Sequence, residues 1–466
     1  MTALHRLQAE LGAIVSVDPG DLAAARIDKS GWQAFGMPLA LVAATSALQV
    51  QTTLRIASEF GVPVVTRGAG TGLAGGACGT DGSIVLSLAG MNRILEIRPQ
   101  DELAVVEPGV INQDLNDALA PHGLWFAPDP ASKAISTIGG NIATNAGGLL
   151  CAKYGVTREA VLALTVVLAD GSLLEMGHRS VKGVTGYDLT ALFTGSEGTL
   201  GVIVGATVRT PARPTGAVST IGAVFADVAS AAAASASITA ARLRPAVMEL
   251  LDPSALRAIA GYLGPDNMAG LPLGHGAFLL LQTDGPLARV EAEAALRILR
   301  EAGGDAELST DRESGEQLLA IRRAMHPALA AQGEVLIEDV SVPRSRMAEM
   351  FEEIARISER TGVTIPTVAH AGDGNLHPNF VIPFDPDKAA DAPLVPEHIW
   401  AAADELFRAA LALGGTLTGE HGVGVLKQRW LIDELGETSF GLQRQLKAVF
   451  DPQGILNPGV MFAAAK

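Results

Sequence analysis

Apolar residues along this chain fall into short blocks, and the period of each block sets the element it predicts. Residues 39–43 form a short apolar run. Thr45 or Ser46 can cap a following helix that carries Leu48, Leu54 and Ile56 and stops at Gly61. Residues 62–66 come next as a strand, completing a strand–helix–strand unit. Ligands of such α/β sheets usually sit at the carboxyl ends of the strands. Further strands are predicted at 84–88 and 103–107, and a polar helix over 111–120 ends near Pro121. Residues 161–168 and 172–176 flank Asp170-Gly171 and predict a hairpin. A strand follows at 202–208. Thr210-Pro211-Ala212-Arg213-Pro214 is the clearest linker, because two prolines in four residues oppose both helix and sheet.

Beyond the linker the texture changes. Strands are predicted at 219–225, 246–251, 277–282 and 335–340. Helices are predicted at 229–242, 287–302, 313–331 and 397–413. Met347, Met350, Phe351, Ile354 and Ile357 fall on one helical face and read as core. This half predicts an α+β domain, an antiparallel sheet covered by helices. No internal repeat is evident.

The chain has 466 residues, of which 48% are hydrophobic and 18% charged, so it is a compact protein with room for two or three domains. Its net charge of −16 disfavours nucleic acid and anionic membrane surfaces as general partners. The two cysteines, Cys78 and Cys151, suit a reducing compartment and match no zinc spacing. Residues 1–17 carry Glu10 and no long apolar core, unlike a signal peptide, and no apolar stretch reaches membrane-spanning length. These features predict a cytoplasmic protein.

Three glycine-rich tracts interrupt the pattern. Arg67-Gly68-Ala69-Gly70-Thr71-Gly72-Leu73-Ala74-Gly75-Gly76 has five glycines in ten residues. Such density fits tight turning, or backbone N–H groups that must approach a bulky anion. With Arg67 at its edge the tract reads as a pyrophosphate cradle. It fits neither the dinucleotide fingerprint nor a P-loop. A second tract spans Asp129-Pro130 and Ser136 to Gly148; it shows little apolar period and reads as a long loop. The third is Thr194-Gly195-Ser196-Glu197-Gly198-Thr199-Leu200-Gly201.

Two more clusters hold three of the nine histidines. In Thr367-Val368-Ala369-His370-Ala371-Gly372-Asp373-Gly374-Asn375-Leu376-His377, the Gly-Asp-Gly turn lets His370 and His377 reach one ion. In Thr418-Gly419-Glu420-His421-Gly422-Val423-Gly424, Glu420 can add a carboxylate. Two imidazoles and a carboxylate suit Zn²⁺, Mn²⁺, Fe²⁺ or Co²⁺ and leave positions open for substrate. His421 is then available as a base, since histidine titrates at roughly 6.5. The plainer alternative is that these histidines cap turns.

Taken in order with Asn457-Pro458-Gly459, these tracts resemble the FAD-linked 2-hydroxyacid dehydrogenases of the vanillyl-alcohol-oxidase type. That group includes D-lactate dehydrogenase, D-2-hydroxyglutarate dehydrogenase and the glycolate oxidase flavin subunit. The resemblance runs from about Ile27 to Met461. It implies an FAD-binding domain at 1–213, a substrate or cap domain at 214–414, and a segment at 415–466 that returns to complete the active site. By the resemblance, Arg67, Gly68, Ala69, Gly70, Thr71, Gly72, Leu73 and Gly75 hold the FAD pyrophosphate. Pro130, Thr137, Gly139, Gly140, Asn141, Thr144, Gly147 and Gly148 line the flavin's other side. Glu197, Gly198 and Ile203 reach toward the adenosine half, and Asn457 closes over the isoalloxazine. His370, His377 and Glu420 match the metal ligands, with Zn or Mn expected, and His421 the catalytic base. The first loop has no histidine and no nucleophile but Thr71, so FAD is expected to be non-covalent.

The implied reaction oxidises a D-2-hydroxyacid: His421 takes the hydroxyl proton and hydride passes to flavin N5. Arg322 matches the family's substrate arginine. Where 2-hydroxyglutarate dehydrogenases have a threonine and a lysine, this chain has His326 and Ile337, which favours D-lactate. His326 can still replace part of the lost grip, so 2-hydroxyglutarate stays open. The expected partners are the 2-hydroxyacid, an electron acceptor (quinone, electron-transfer protein or cytochrome) and a second copy in a homodimer. A non-catalytic flavin-binding subunit, an oxidase and an ether-forming synthase are the rivals.

Overall fold

The computed structural model describes residues 1–268, 271, 276–309, 311–384 and 395–463. The chain divides into two units. One comprises Met1–Gly148, Gly155–Arg213 and Glu420–Lys466. Its first sheet has the strand order Val15–Ser16, Ala40–Ala43, Ile84–Ser87, Val64–Arg67, and the last three strands are parallel. Ser46 caps the helix Ala47–Phe60, which buries Val50, Leu54, Ile56 and Ala57 and ends at Gly61 in the left-handed conformation. The C-terminal segment extends this sheet: Val64 N–H donates to the Ile455 carbonyl at 2.7 Å, and Asn457 N–H to the Val64 carbonyl at 2.8 Å. That pairing sets Asn457 against Val64, at the start of the strand that ends at Arg67. A second, antiparallel sheet runs Ile94–Arg98, Leu103–Val106, Val202–Arg209, Val161–Val167, Leu173–Gly177. Phe126, Ile138, Ile142 and Phe193 fill the core beneath it.

The other unit comprises Leu149–Tyr154 and Pro214–Gly419. Its sheet is antiparallel throughout, in the order Asp305–Leu308, Ser219–Phe225, Ala277–Thr283, Val247–Leu251, Thr367–His370, Asn375–Pro383, Gly333–Ile337, with Val340–Ser341 also paired to Asn375–Pro383. Met347, Met350, Phe351, Ile354 and Ile357 are all buried on the helix Met347–Thr361. Asn375–Pro383 is buried at every position but its last. A strand covered on both faces places its polar residues where solvent does not compete.

The structure adds elements the sequence reading left out, among them the helices Ala3–Leu11 and Pro253–Leu263 and the strands Ile94–Arg98 and Asp305–Leu308, and it departs from stated expectations elsewhere. The tract expected to be one long loop contains the helix Ile138–Thr144, capped by Thr137, whose side chain accepts from Gly140 N–H. Only Ile138 and Ile142 carry its apolar period, and flanking glycines mask it. The helix expected over 313–331 is two, Arg312–Arg323 and Met325–Ala330. Pro327 lacks an N–H and its ring crowds the carbonyl four residues back, at Arg323. The strand expected over 335–340 breaks around Glu338 and Asp339. The helix Leu431–Phe450, interrupted at Gly436, was not anticipated at all. No helix among the described residues is long and apolar enough to cross a membrane.

Candidate active site

The first glycine tract leaves the strand Val64–Arg67 at its carboxyl end. Arg67 folds back, its Nη1 donating to the Ala77 carbonyl at 2.8 Å. A Cβ on Gly68 would stand 2.4 Å from Thr137 Oγ1, so glycine here lets the first tract touch the cap of the helix Ile138–Thr144. Gly72 is different: its Cβ would meet only Asp28 Oδ2, at 3.8 Å. Protein packing therefore does not demand glycine at 72. From Gly68 to Gly72 no backbone N–H donates to an acceptor among the described residues. A run of N–H donors with no protein acceptor on a partly exposed loop, beside a capped helix start, fits an anionic group such as a pyrophosphate.

The second tract packs on its own surroundings. Gly139 and Gly148 sit where a Cβ would strike Pro108 and the Asp129 carbonyl, at 2.5 and 2.3 Å. Pro130 and Gly147 are buried, while Gly140 and Thr144 are partly exposed. Thr144 Oγ1 donates to the Gly140 carbonyl at 3.1 Å, and Asn141 is buried.

Two residues expected on the adenosine side, Ile203 and Glu197, have side chains that also meet the protein itself. The Ile203 side chain lies in the apolar core with Ile138 and Ile142. Glu197 turns both carboxylate oxygens to backbone: Oε1 accepts from Val423 N–H and Oε2 from Gly424 N–H, each at 2.8 Å. Asn457 Nδ2 donates to the Glu197 carbonyl at 2.7 Å and to the Gly76 carbonyl at 3.0 Å. Burial pushes the Glu197 carboxyl up to about 7, against the pull of those two N–H groups and of the Lys427 charge. In an unfolded chain a glutamate titrates at about 4.3. The folded state thus holds the proton more tightly, and stability falls as pH rises from about 4.3 through about 7. Over that window Glu197 is expected to cost the wild type on the order of 3 kcal/mol relative to Glu197→Gln. Urea unfolding of both proteins between pH 4.5 and 8 measures the gap; a gap that does not change with pH refutes the assignment.

In the other unit, antiparallel register sets a polar cluster. Glu249 is paired with His370, and His370 with Asn375. Directly opposed residues share a face, and His377 is the diagonal neighbour two positions on. The two imidazoles stack edge to face with centroids 5.0 Å apart. Each presents a nitrogen within 4.8 Å of the other, and Asp339 presents an oxygen within the same distance of His377. His370 Nδ1 is 2.6 Å from Glu249 Oε1, so ligation by His370 falls to Nε2. Arg322 Nε donates to Glu249 Oε2 at 2.7 Å. Burial alone would push the Glu249 carboxyl up, but His370 and Arg322 hold it below the usual carboxylate range.

Arg322, expected to meet substrate, is thus already tied to a buried carboxylate, while His326 is exposed. Glu420 and His421 follow directly after Gly419, the last residue of this unit. A Cβ on Gly419 would stand 2.4 Å from Asn375 Oδ1, so the chain leaves the unit pressed against the strand that carries His377. His421 Nε2 lies 3.9 Å from Glu420 Oε1. Sequence reasoning missed Glu249 and gave Asp339 no ligand role. The signal for Glu249 was a lone carboxylate in an apolar strand run, Val247–Leu251.

Residues 38–177 match the family described as an FAD binding domain, and residues 216–461 match the FAD linked oxidases, C-terminal domain. The glycolate oxidase subunit GlcD of Bacillus subtilis (strain 168) is 41% identical over 432 residues, covering 92% of this chain and 89% of that protein. A D-lactate dehydrogenase of Anaerostipes hadrus is 33% identical over 431 residues, covering 91% and 89%. Among solved structures, p-cresol methylhydroxylase with substrate bound superposes with a TM-score of 0.80 at 19% identity, covering 99% of this chain and 96% of that one.

Proposed function

This chain belongs to the FAD-linked oxidases, and from that premise we propose that it oxidises a small D-2-hydroxyacid, D-lactate foremost, to the 2-oxoacid. It is an FAD-linked oxidoreductase with the two-domain fold of vanillyl-alcohol-oxidase type. The observation that carries the substrate class is the Glu249 carboxylate, which joins Arg322 to His370. An arginine for a substrate carboxylate and an imidazole for a metal are thereby held on one buried anchor.

His370, His377 and Glu420 would hold a divalent cation, Zn²⁺ or Mn²⁺, with Asp339 close to His377 as a further oxygen donor. When bound, FAD supplies the hydride acceptor and the cation makes the substrate hydroxyl more acidic. His421 accepts the hydroxyl proton. Arg322 orients the substrate carboxylate through the guanidinium nitrogens not tied to Glu249. FAD itself would rest on the N–H groups of Gly68 to Gly72, with Asn457 bracing the cradle through Gly76.

The cradle is testable without turnover. Gly72→Ala has room for its Cβ inside the protein, where only Asp28 Oδ2 lies near at 3.8 Å, but would crowd a pyrophosphate. It is expected to unfold at the same temperature as the wild-type apoprotein, yet to bind FAD at least about tenfold more weakly, about 1.4 kcal/mol or more. Equal FAD affinity would dismiss this loop as the phosphate site.

Substrate is tested by anaerobic stopped-flow with glycolate, D-lactate, L-lactate and D-2-hydroxyglutarate, following loss of visible flavin absorbance. D-lactate is expected to bleach the flavin fastest. Ile337 offers no charge for a second carboxylate, which disfavours 2-hydroxyglutarate. The Bacillus relative's name favours glycolate as the second reading and, as that of a subunit, points to partner subunits. Bleaching by none of the four would overturn the proposal.

A further inference from the structure

Glu197 is buried, sits in the left-handed region at φ 51°, and among the described residues has as its side-chain hydrogen-bond partners the Val423 and Gly424 N–H groups. A non-glycine residue held there is strained, and such strain persists only where surrounding contacts impose it. Here Asn457, itself at φ 46°, imposes it by binding the Glu197 carbonyl. The same Asn457 amide binds Gly76 in the first glycine tract.

The segment Glu197 grips is fastened elsewhere too. Val425 N–H donates to the Ala74 carbonyl at 2.9 Å, and Met461 N–H to the Gly424 carbonyl at 2.9 Å. A Cβ on Gly424 would come within 1.9 Å of that Ala74 oxygen, and one on Gly422 within 3.0 Å of Glu197 Oε1. Four stretches far apart in sequence therefore converge: 74–76, 197, 422–425 and 457–461. The first ends the glycine cradle. The third begins one residue after His421.

We propose that Glu197 is a positioning residue for His421: its carboxylate fixes the backbone that carries the imidazole in register with the FAD cradle. This rests on the assignment of His421 as the proton acceptor. Two parallel N–H···O bonds to one carboxylate set both position and orientation of the peptide planes at 423 and 424. Gly422 alone separates this anchored pair from His421. A burial that disfavours the ionised carboxyl makes stability an insufficient reason for a glutamate here. Holding a reactive loop still is a reason that stability does not measure.

The test uses the FAD-loaded, metal-loaded enzyme and single-turnover flavin reduction. Glu197→Gln keeps the shape and one acceptor; Glu197→Asp keeps both oxygens on a shorter arm. Glu197→Gln is expected to slow reduction about tenfold or more, with substrate KM nearly unchanged and FAD retained. Glu197→Asp is expected to recover part of the rate. Amide hydrogen exchange, which needs no turnover, should speed up at 422–425 in Glu197→Gln and less so in Glu197→Asp. In the His421→Ala background the Glu197→Gln defect should vanish, because there is no imidazole left to position. A defect that persists at full size in that background, wild-type exchange at 422–425, or a wild-type rate in Glu197→Gln overturns the proposal. A fast His421→Ala single variant instead refutes the proton-acceptor assignment, and the positioning role falls with it.

Discussion

His421→Ala is expected to slow anaerobic flavin reduction by roughly a hundred- to ten-thousand-fold, the usual contribution of a placed general base. The imidazole is largely buried, with 12% of its side chain exposed, and stands beside Glu420. Its loop is fixed by Glu197, Ala74 and Met461, so the truncation leaves the backbone supported. The variant should keep its bound FAD and its unfolding temperature. A variant that bleaches at the wild-type rate would remove His421 from the reaction.

Glu249→Ala is expected to have the second largest effect, on both stability and metal binding. The carboxylate has no solvent exposure, and it holds Arg322, whose side chain is 15% exposed. Breaking a buried pair strands the remaining charge and costs about 3–5 kcal/mol. It also releases His370 Nδ1, and loss of such an orienting partner weakens metal binding about 10–100-fold. Glu249→Gln keeps the volume and one acceptor, so it should lose less stability yet still bind metal more weakly. Urea unfolding gives the first quantity and metal titration of the chelator-treated protein the second. Metal affinity unchanged in both variants would detach Glu249 from the site.

How much of this was legible in the sequence depended on the range of the interaction. The strand Ser219–Phe225 and the helix ending at Gly61 were readable because alternation, capping and a left-handed glycine are local effects. The methionine stripe at 347–357 was readable for the same reason. The helix Ile138–Thr144 was not, since two isoleucines among glycines make too weak a period. Its stability comes from burial in a core that strands distant in sequence complete. Pro327 did carry a local signal for the break after Arg323, and the helical period hid it.

The site divides in the same way. Residue types and their spacing determined which side chains are candidates: a glycine cradle, two histidines across a tight turn, a Glu-His pair. They also determined the family, because those tracts occur in order over nearly the whole chain. Only the tertiary structure decided what those residues are tied to. Glu249 reaches His370 across 121 positions, and Glu197 reaches Val423 across 226. Such contacts have no periodicity to read, because they are set by strand register and by the cost of leaving a buried carboxylate without partners.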